Sequence, residues 1–202
     1  MLRVGLTGSI AVGKSFVLDV LAELGCRVLD ADRTAREVVV QGAAGLKAVV
    51  EEFGSDVLKA DGSLDRAKLG TIVFANEQER ARLNSILHPF IIAKQDEQMG
   101  GWEKEDPSGV AVVDAALMIE SGGYRRFDKV IVVYCGPEVQ LQRLMARDGL
   151  SREAAEQRIA AQMTQEEKKK RADFLIDTSD GFESARQQTE EVFQKLGALL
   201  RM

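Results

Sequence analysis

Apolar positions along the chain alternate between short unbroken runs and longer stretches where they recur every third or fourth residue. Leu2-Arg3-Val4-Gly5-Leu6-Thr7 predicts a short buried strand. From Ser15 to Leu24, Val17, Val20, Leu21 and Leu24 fall on one helical face, and Gly25 is a natural helix stop. Cys26 to Leu29 predicts a second strand ending at Asp30-Ala31-Asp32. Strand, glycine loop, helix and strand within about 30 residues form a βαβ unit, which implies a parallel sheet.

Residues 33–105 break that rhythm and read as mostly helical, an insertion on the α/β core. Asp61-Gly62 predicts a turn and Asn76 a helix cap. His88-Pro89 predicts a break between two helices, because a residue before proline avoids the α region. Met99 to Ser108, with Gly-Gly, acids and Pro107, predicts a loop. The strand pattern then resumes at Gly109–Asp114 and again at Lys129–Tyr134. Gly136-Pro137 opens a helix to about Arg147, and Ser151 caps the next, with Ala154, Ala155, Ile159 and Ala160 as packing positions. Phe174 to Asp177 predicts a last strand, followed by an amphipathic helix.

Composition narrows the class. The 202 residues suit one α/β domain with insertions, divided as a core of 1–32, 109–142 and 172–202, a helical insertion of 33–105 and a basic segment of about 143–171. Hydrophobic residues at 45% and charged residues at 29% fit a globular enzyme. A net charge of −5 argues against nucleic-acid binding, so any anionic ligand must meet local positive charge. No apolar run has the length of a membrane span or the pattern of a signal peptide. Cys26 and Cys135 lack metal-type spacing and read as buried thiols, which fits a reducing, cytoplasmic setting. Oligomeric state is left open between a monomer and a small homo-oligomer.

The strongest chemical signal is Gly8-Ser9-Ile10-Ala11-Val12-Gly13-Lys14-Ser15, which satisfies G-x-x-x-x-G-K-[ST] between a strand and a helix. Glycines let the backbone curl so that successive N–H groups meet phosphate oxygens, and the helix adds the positive end of its dipole. ATP contacts are expected from Gly8, Ala11, Val12, Gly13, Lys14, Ser15 and Phe16. In this chemistry Lys14 reaches the β- and γ-phosphates and the Ser15 hydroxyl takes Mg²⁺. Asp114, ending a buried strand, is a second candidate for the Mg²⁺ shell.

No Asn-Lys-x-Asp segment marks a switch GTPase, and the chain is short for a motor or regulatory ATPase. A small kinase needs an acceptor site near the second strand and an arginine-bearing lid. Asp30 and Asp32 lie where open α/β sheets place ligands, and a carboxylate there can take a hydroxyl proton; capping of the following helix is the alternative role. Arg143 to Arg171 holds eight basic residues against five acidic ones. Arg147, at a helix end beside Asp148-Gly149, is the candidate catalytic lid residue, whereas Lys168 to Lys170 read as a solvated face. A kinase of a different nucleoside or nucleotide, or a module that merely binds nucleotide, are the competing readings.

Taken in order, several segments resemble the dephospho-coenzyme A kinase family over nearly the full length. They are Gly5 through Ser15, Asp30-Ala31-Asp32-Arg33-Thr34-Ala35-Arg36, Asp61 to Arg66, Val73 to Asn76, Leu83-Asn84-Ser85-Ile86-Leu87-His88-Pro89, Arg147-Asp148-Gly149, Ala160-Ala161-Gln162 and Ala172 to Asp177. The resemblance implies a P-loop NTPase three-layer α/β fold with a parallel sheet, a helical acceptor-binding insertion and a helical lid. It implies transfer of the ATP γ-phosphate to the ribose 3′-hydroxyl of dephospho-CoA, with Asp32 as base, Arg147 in the lid, and Thr7, Asp32 and His88 on the acceptor side. Ala116 and Thr178 depart from the family pattern, which has proline and asparagine there.

Overall fold

The structure, a computed structural model, describes residues 1–201. Five strands, β1 (Leu2–Gly8), β2 (Arg27–Asp30), β3 (Val110–Asp114), β4 (Lys129–Tyr134) and β5 (Phe174–Asp177), form a parallel sheet in the order β2-β3-β1-β4-β5. The order reverses about β1, which pairs with β3 from Leu2↔Val110 to Leu6↔Asp114 and with β4 from Val4↔Lys129 to Gly8↔Val133. β5 extends the sheet beyond β4, from Ile131↔Phe174 to Tyr134↔Asp177. In such sheets ligands collect outside the carboxyl ends of the strands, near the reversal.

Strand alternation decides what each face holds. Val4 and Leu6, Val110 and Val112, Ile131 and Val133, and Ile176 point to one face. There they bury against Val17 and Leu21 of α1 (Lys14–Glu23) and Val192 and Leu196 of α9 (Phe182–Leu199). Val130 and Val132 point to the other face, against Ile119 and the half-buried Met163 and Ala172. α1 ends with Leu24 in the cap position and Gly25 at φ 96°, as its sequence requires. Beyond β4, α6 (Pro137–Asp148) and α7 (Arg152–Ala160) bury Leu141, Leu144 and Ala155 together, with Ile10 and Ala11 packed on that cluster. Ser151 caps α7 through the Ala154 N–H, while Ala160 is exposed. A short α8 (Gln165–Lys169) leads into β5.

By chain contacts the molecule divides into two compact units: Met1–Leu29 with the chain from Trp102 onward, and Asp30–Gly101. The second unit contains α2 (Ala31–Glu37), α3 (Ala44–Phe53), α4 (Arg66–Ala75) and most of α5 (Glu77–Glu105). Its core gathers Val38, Val39, Leu46, Val49, Val57, Leu64, Leu69 and Val73. Asn76 caps α5, accepting from the Gln78 and Glu79 N–H groups.

Two expectations fail here. His88-Pro89 does not divide two helices: α5 runs through Pro89 without a break. Leu83, Ile86, Leu87, Phe90 and Ile91 form one stripe across the proline, all packed on the second unit's core. Continuity of that stripe outweighs the loss of one helical hydrogen bond, roughly 3 kcal/mol or more with the ring clash. Nor is Met99 to Ser108 a loop throughout, since α5 persists through Gly100-Gly101 to Glu105. Met99 is fully buried, and Glu103 binds both the N-terminal ammonium (3.3 Å) and Arg3 (3.2 Å), which ties down the last turn. Among the described residues no helix is long and apolar enough to cross a membrane.

Candidate active site

The loop between β1 and α1 is shaped by two glycines. A Cβ on Gly8 would stand 2.5 Å from the Val133 carbonyl oxygen of the neighbouring strand, so only glycine lets β1 enter the loop there. Gly13 precedes α1 with φ 85° and offers no side-chain cap. The amides of Lys14 and Ser15, which open α1 ahead of its first backbone bonds to the Gly13 carbonyl, are therefore available to an anion. Ala11 also takes a left-handed conformation, φ 60°, which costs a residue with a Cβ about 1–2 kcal/mol.

The loop is held from outside by side chains distant in sequence. The Ile10 N–H donates to Gln162 Oε1 (2.8 Å), and Gln140 Nε2 donates to the Ile10 carbonyl (2.8 Å). The Thr178 hydroxyl donates to the Val12 carbonyl (2.7 Å), and Ser9 Oγ reaches the Met163 carbonyl (3.4 Å). Thr178, the departure noted at this position, is thus a buried brace of the loop.

Lys14 and Asp114 form an ion pair across 100 positions of sequence, both largely shielded from solvent. The register that sets Leu6 opposite Asp114 carries the acid to the foot of the loop. Ser15, next in α1, leaves its side chain exposed. Thr7 is fully buried, and its hydroxyl donates to the Ala116 carbonyl (3.2 Å). The same carbonyl accepts from Lys168 Nζ (2.7 Å), whose ammonium also pairs with Glu120 Oε1 (2.8 Å). Lys168 is consequently buried, correcting its assignment to a solvated face. Lys169 lies half-buried 3.8 Å over the Tyr134 ring, and Lys170 alone of the three is exposed. A local count of charges could not find Glu120, 48 positions away, as the partner that makes this burial affordable.

The loop from Ser9 to Phe16 lines a cavity of about 590 Å³ with Arg143 and Arg147 on its wall. Arg143 is fixed by Thr178, donating to its hydroxyl (2.8 Å) and its carbonyl (2.7 Å). Arg147 makes two bonds to Asp148 (2.7 and 3.1 Å), which also accepts from Arg158 (2.8 Å). Hydrogen bonding to Arg147 holds the Asp148 carboxyl below its usual range, and the same bond raises the guanidinium. At 55% exposure Arg147 sits at a solvated rim, where such a pair contributes little to stability. Phe182 also lines the cavity and stacks against Phe16 with ring centres 4.8 Å apart. Sequence reading missed Phe182 and Gln140, for neither carries a local signal.

In the second unit the capping role falls to Asp30. Its Oδ1 accepts from the Asp32 N–H (2.7 Å) and the Arg33 N–H (3.2 Å). Asp32 stands exposed in the first turn of α2, its carboxylate unbonded to any described residue. His88 is exposed on α5.

A parallel sheet whose central strand runs into this glycine-lysine-serine loop, with arginines on the same cavity wall, defines a P-loop kinase. The family model described as dephospho-CoA kinase matches residues 2–184, and the chain belongs to that family. The dephospho-CoA kinase of Geobacter sulfurreducens is 45% identical over 192 residues, covering 95% of this chain and 97% of the relative. That of Geobacillus kaustophilus is 43% identical over 198 residues, 98% of each chain. Among solved structures, dephospho-CoA kinase from Campylobacter jejuni is similar with a TM-score of 0.73, at 36% identity and 97% coverage of both chains. Shikimate kinase from Acinetobacter baumannii shares the fold alone, with a TM-score of 0.51 at 21% identity.

Proposed function

We propose that this chain transfers the γ-phosphoryl group of ATP to the ribose 3′-hydroxyl of dephospho-CoA, giving coenzyme A. The observation that carries this reading is Lys14, braced by Asp114 and sharing one cavity with Arg143 and Arg147, in a chain of this family. Phosphoryl transfer asks for positioning and charge stabilisation more than covalent chemistry. Lys14 draws on the β- and γ-phosphates, the Gly8–Phe16 backbone holds them, and Arg147 exchanges Asp148 for the transferring group. Ala11 and Val12 serve through their amides. Asp32, exposed and unbonded, is the base that takes the acceptor proton; Thr7 and His88 belong to the acceptor side.

Residues 33–105 are proposed as the acceptor-binding part and 143–171 as the lid. Magnesium fits the donors present. The Ser15 hydroxyl and Asp114 carboxylate are hard oxygens, and this ion commonly takes one or two protein ligands beside substrate phosphates and water. Among the described residues no three His, Cys, Asp or Glu gather as a cage of their own. When bound, the ion neutralises phosphate charge. The proposed setting is cytoplasmic.

The test is a coupled ADP-release assay with Mg-ATP and dephospho-CoA. Turnover is expected, with the product phosphorylated at the 3′-oxygen by phosphorus NMR. Turnover with a plain nucleoside and none with dephospho-CoA would overturn the acceptor assignment.

A further inference from the structure

The segment joining α7 to α8 and α8 itself send three side chains, at 162, 165 and 168, into the carboxyl end of the sheet. Gln162 accepts the Ile10 N–H in the phosphate loop. Gln165 takes the Cys135 N–H (2.9 Å) and donates to the Cys135 carbonyl (3.1 Å) and Gln140 Oε1 (2.9 Å). Gln140, fully buried, passes the restraint to the Ile10 carbonyl. Lys168 grips Ala116 and Glu120 beyond β3. Both polar groups of Ile10 are thus held by glutamine side chains, and both glutamines depend on where this segment sits. Among the described residues Ile10 has no other hydrogen-bond partner, in a loop that must present its neighbouring amides to phosphates in one orientation.

We propose that Gln162 is a positioning residue for the phosphate loop: by holding the Ile10 amide it sets the orientation of the peptides that follow, with Gln165 and Lys168 fixing the base from which it reaches. The geometry of the nucleotide site is then coupled to the basic segment through its anchored end, Gln162 to Lys168. Before that end, α7 packs on α6 through the buried Ala155, and Arg152 and Arg158 add exposed ion pairs with Glu138 and Asp148. This inference rests on the nucleotide-binding reading of the loop.

The experiment compares the full-length wild-type protein with Gln162→Ala and Gln162→Glu by two readouts. The first is hydrogen exchange at the Ile10 amide without nucleotide. Exchange is expected to be slow in the wild type, faster in Gln162→Ala, and slow again in Gln162→Glu, whose carboxylate also accepts the bond. Amides of β4 serve as the folding control and are expected to stay unchanged. The second readout is calorimetric titration with Mg-ATP. Loss of one such bond is expected to weaken ATP binding by about three- to tenfold in Gln162→Ala, with the KM for the acceptor unmoved. Wild-type Ile10 exchange in Gln162→Ala, or failure of Gln162→Glu to restore protection, overturns the positioning role. Absence of ATP binding by the wild type overturns the nucleotide reading instead, and the exchange comparison still decides on Gln162.

Discussion

Replacing Lys168 by methionine is the sharpest test of how the basic segment is seated. The Lys168 side chain has 0% exposure, and its ammonium has two partners, Glu120 Oε1 at 2.8 Å and the Ala116 carbonyl at 2.7 Å. Hydrogen bonds to a charged group contribute about 1.5–3 kcal/mol each, and breaking a fully buried pair costs about 3–5 kcal/mol. Three features lower that figure here. Methionine nearly fills the volume of the lysine stem, so little cavity forms. Ala116 keeps the Thr7 hydroxyl as donor. Glu120 is 22% exposed, so water recovers part of its solvation. The expected loss is about 2–3 kcal/mol, and at about 2–4 °C per kcal/mol for a chain of this size the midpoint falls by roughly 4–12 °C. Trp102, the single tryptophan, lies in the same unit as Lys168 and reports its unfolding by fluorescence in urea. Adding Glu120→Gln is expected to recover part of the loss, since the uncompensated carboxylate is then gone. A loss under about 0.5 kcal/mol, the level of an ordinary surface substitution, refutes the claim that this lysine anchors the segment.

Three further outcomes are expected. Asp32→Asn lowers kcat by orders of magnitude while ATP affinity, measured by calorimetry, stays near the wild-type value; a near-normal rate refutes Asp32 as base. Ala11→Gly relieves the left-handed strain at φ 60° and stabilises the protein by about 0.5–1 kcal/mol net of chain entropy, read from urea midpoints; a loss of stability contradicts this account of the loop. Burial pushes the Cys26 thiol up to about 12, so native protein resists iodoacetamide at pH 8 whereas urea-unfolded protein reacts quickly; equal rates refute it. Because the folded value is raised, this group's contribution to stability is complete below the ordinary thiol range near 8.5 and is lost as pH climbs from there toward 12.

Much of this protein is written in local spacing. The loop motif from Gly8 to Ser15, the run of β1, the stripe of α1 and the caps at Asn76 and Ser151 depend on residues a few positions apart, and each stands in the structure where the pattern places it. The ordered segments from Asp30-Ala31-Asp32 to Ala172–Asp177 carried the family as well, because such a series is too long to arise from helix or strand periodicity. Asp30 against Asp32 was legible only as a pair with one cap between them, and backbone geometry assigned the cap to Asp30.

Tertiary structure decided the rest, through partners that sequence distance hides. Whether a proline ends a helix depends on what its flanking turns bury, and the second unit's core carries α5 straight across Pro89. Whether a lysine in a charged run meets water depends on a carboxylate elsewhere, and Glu120 takes Lys168 inside. The phosphate loop makes the same point most fully. Its residue types determine that it can cradle phosphate, since only glycine passes Val133 at position 8 and only an unblocked helix start leaves amides free. Its working shape is held by Asp114, Gln140, Gln162 and Thr178, residues that the register of β1 with β3 and β4 and the return of the chain through α6 to β5 bring to one place.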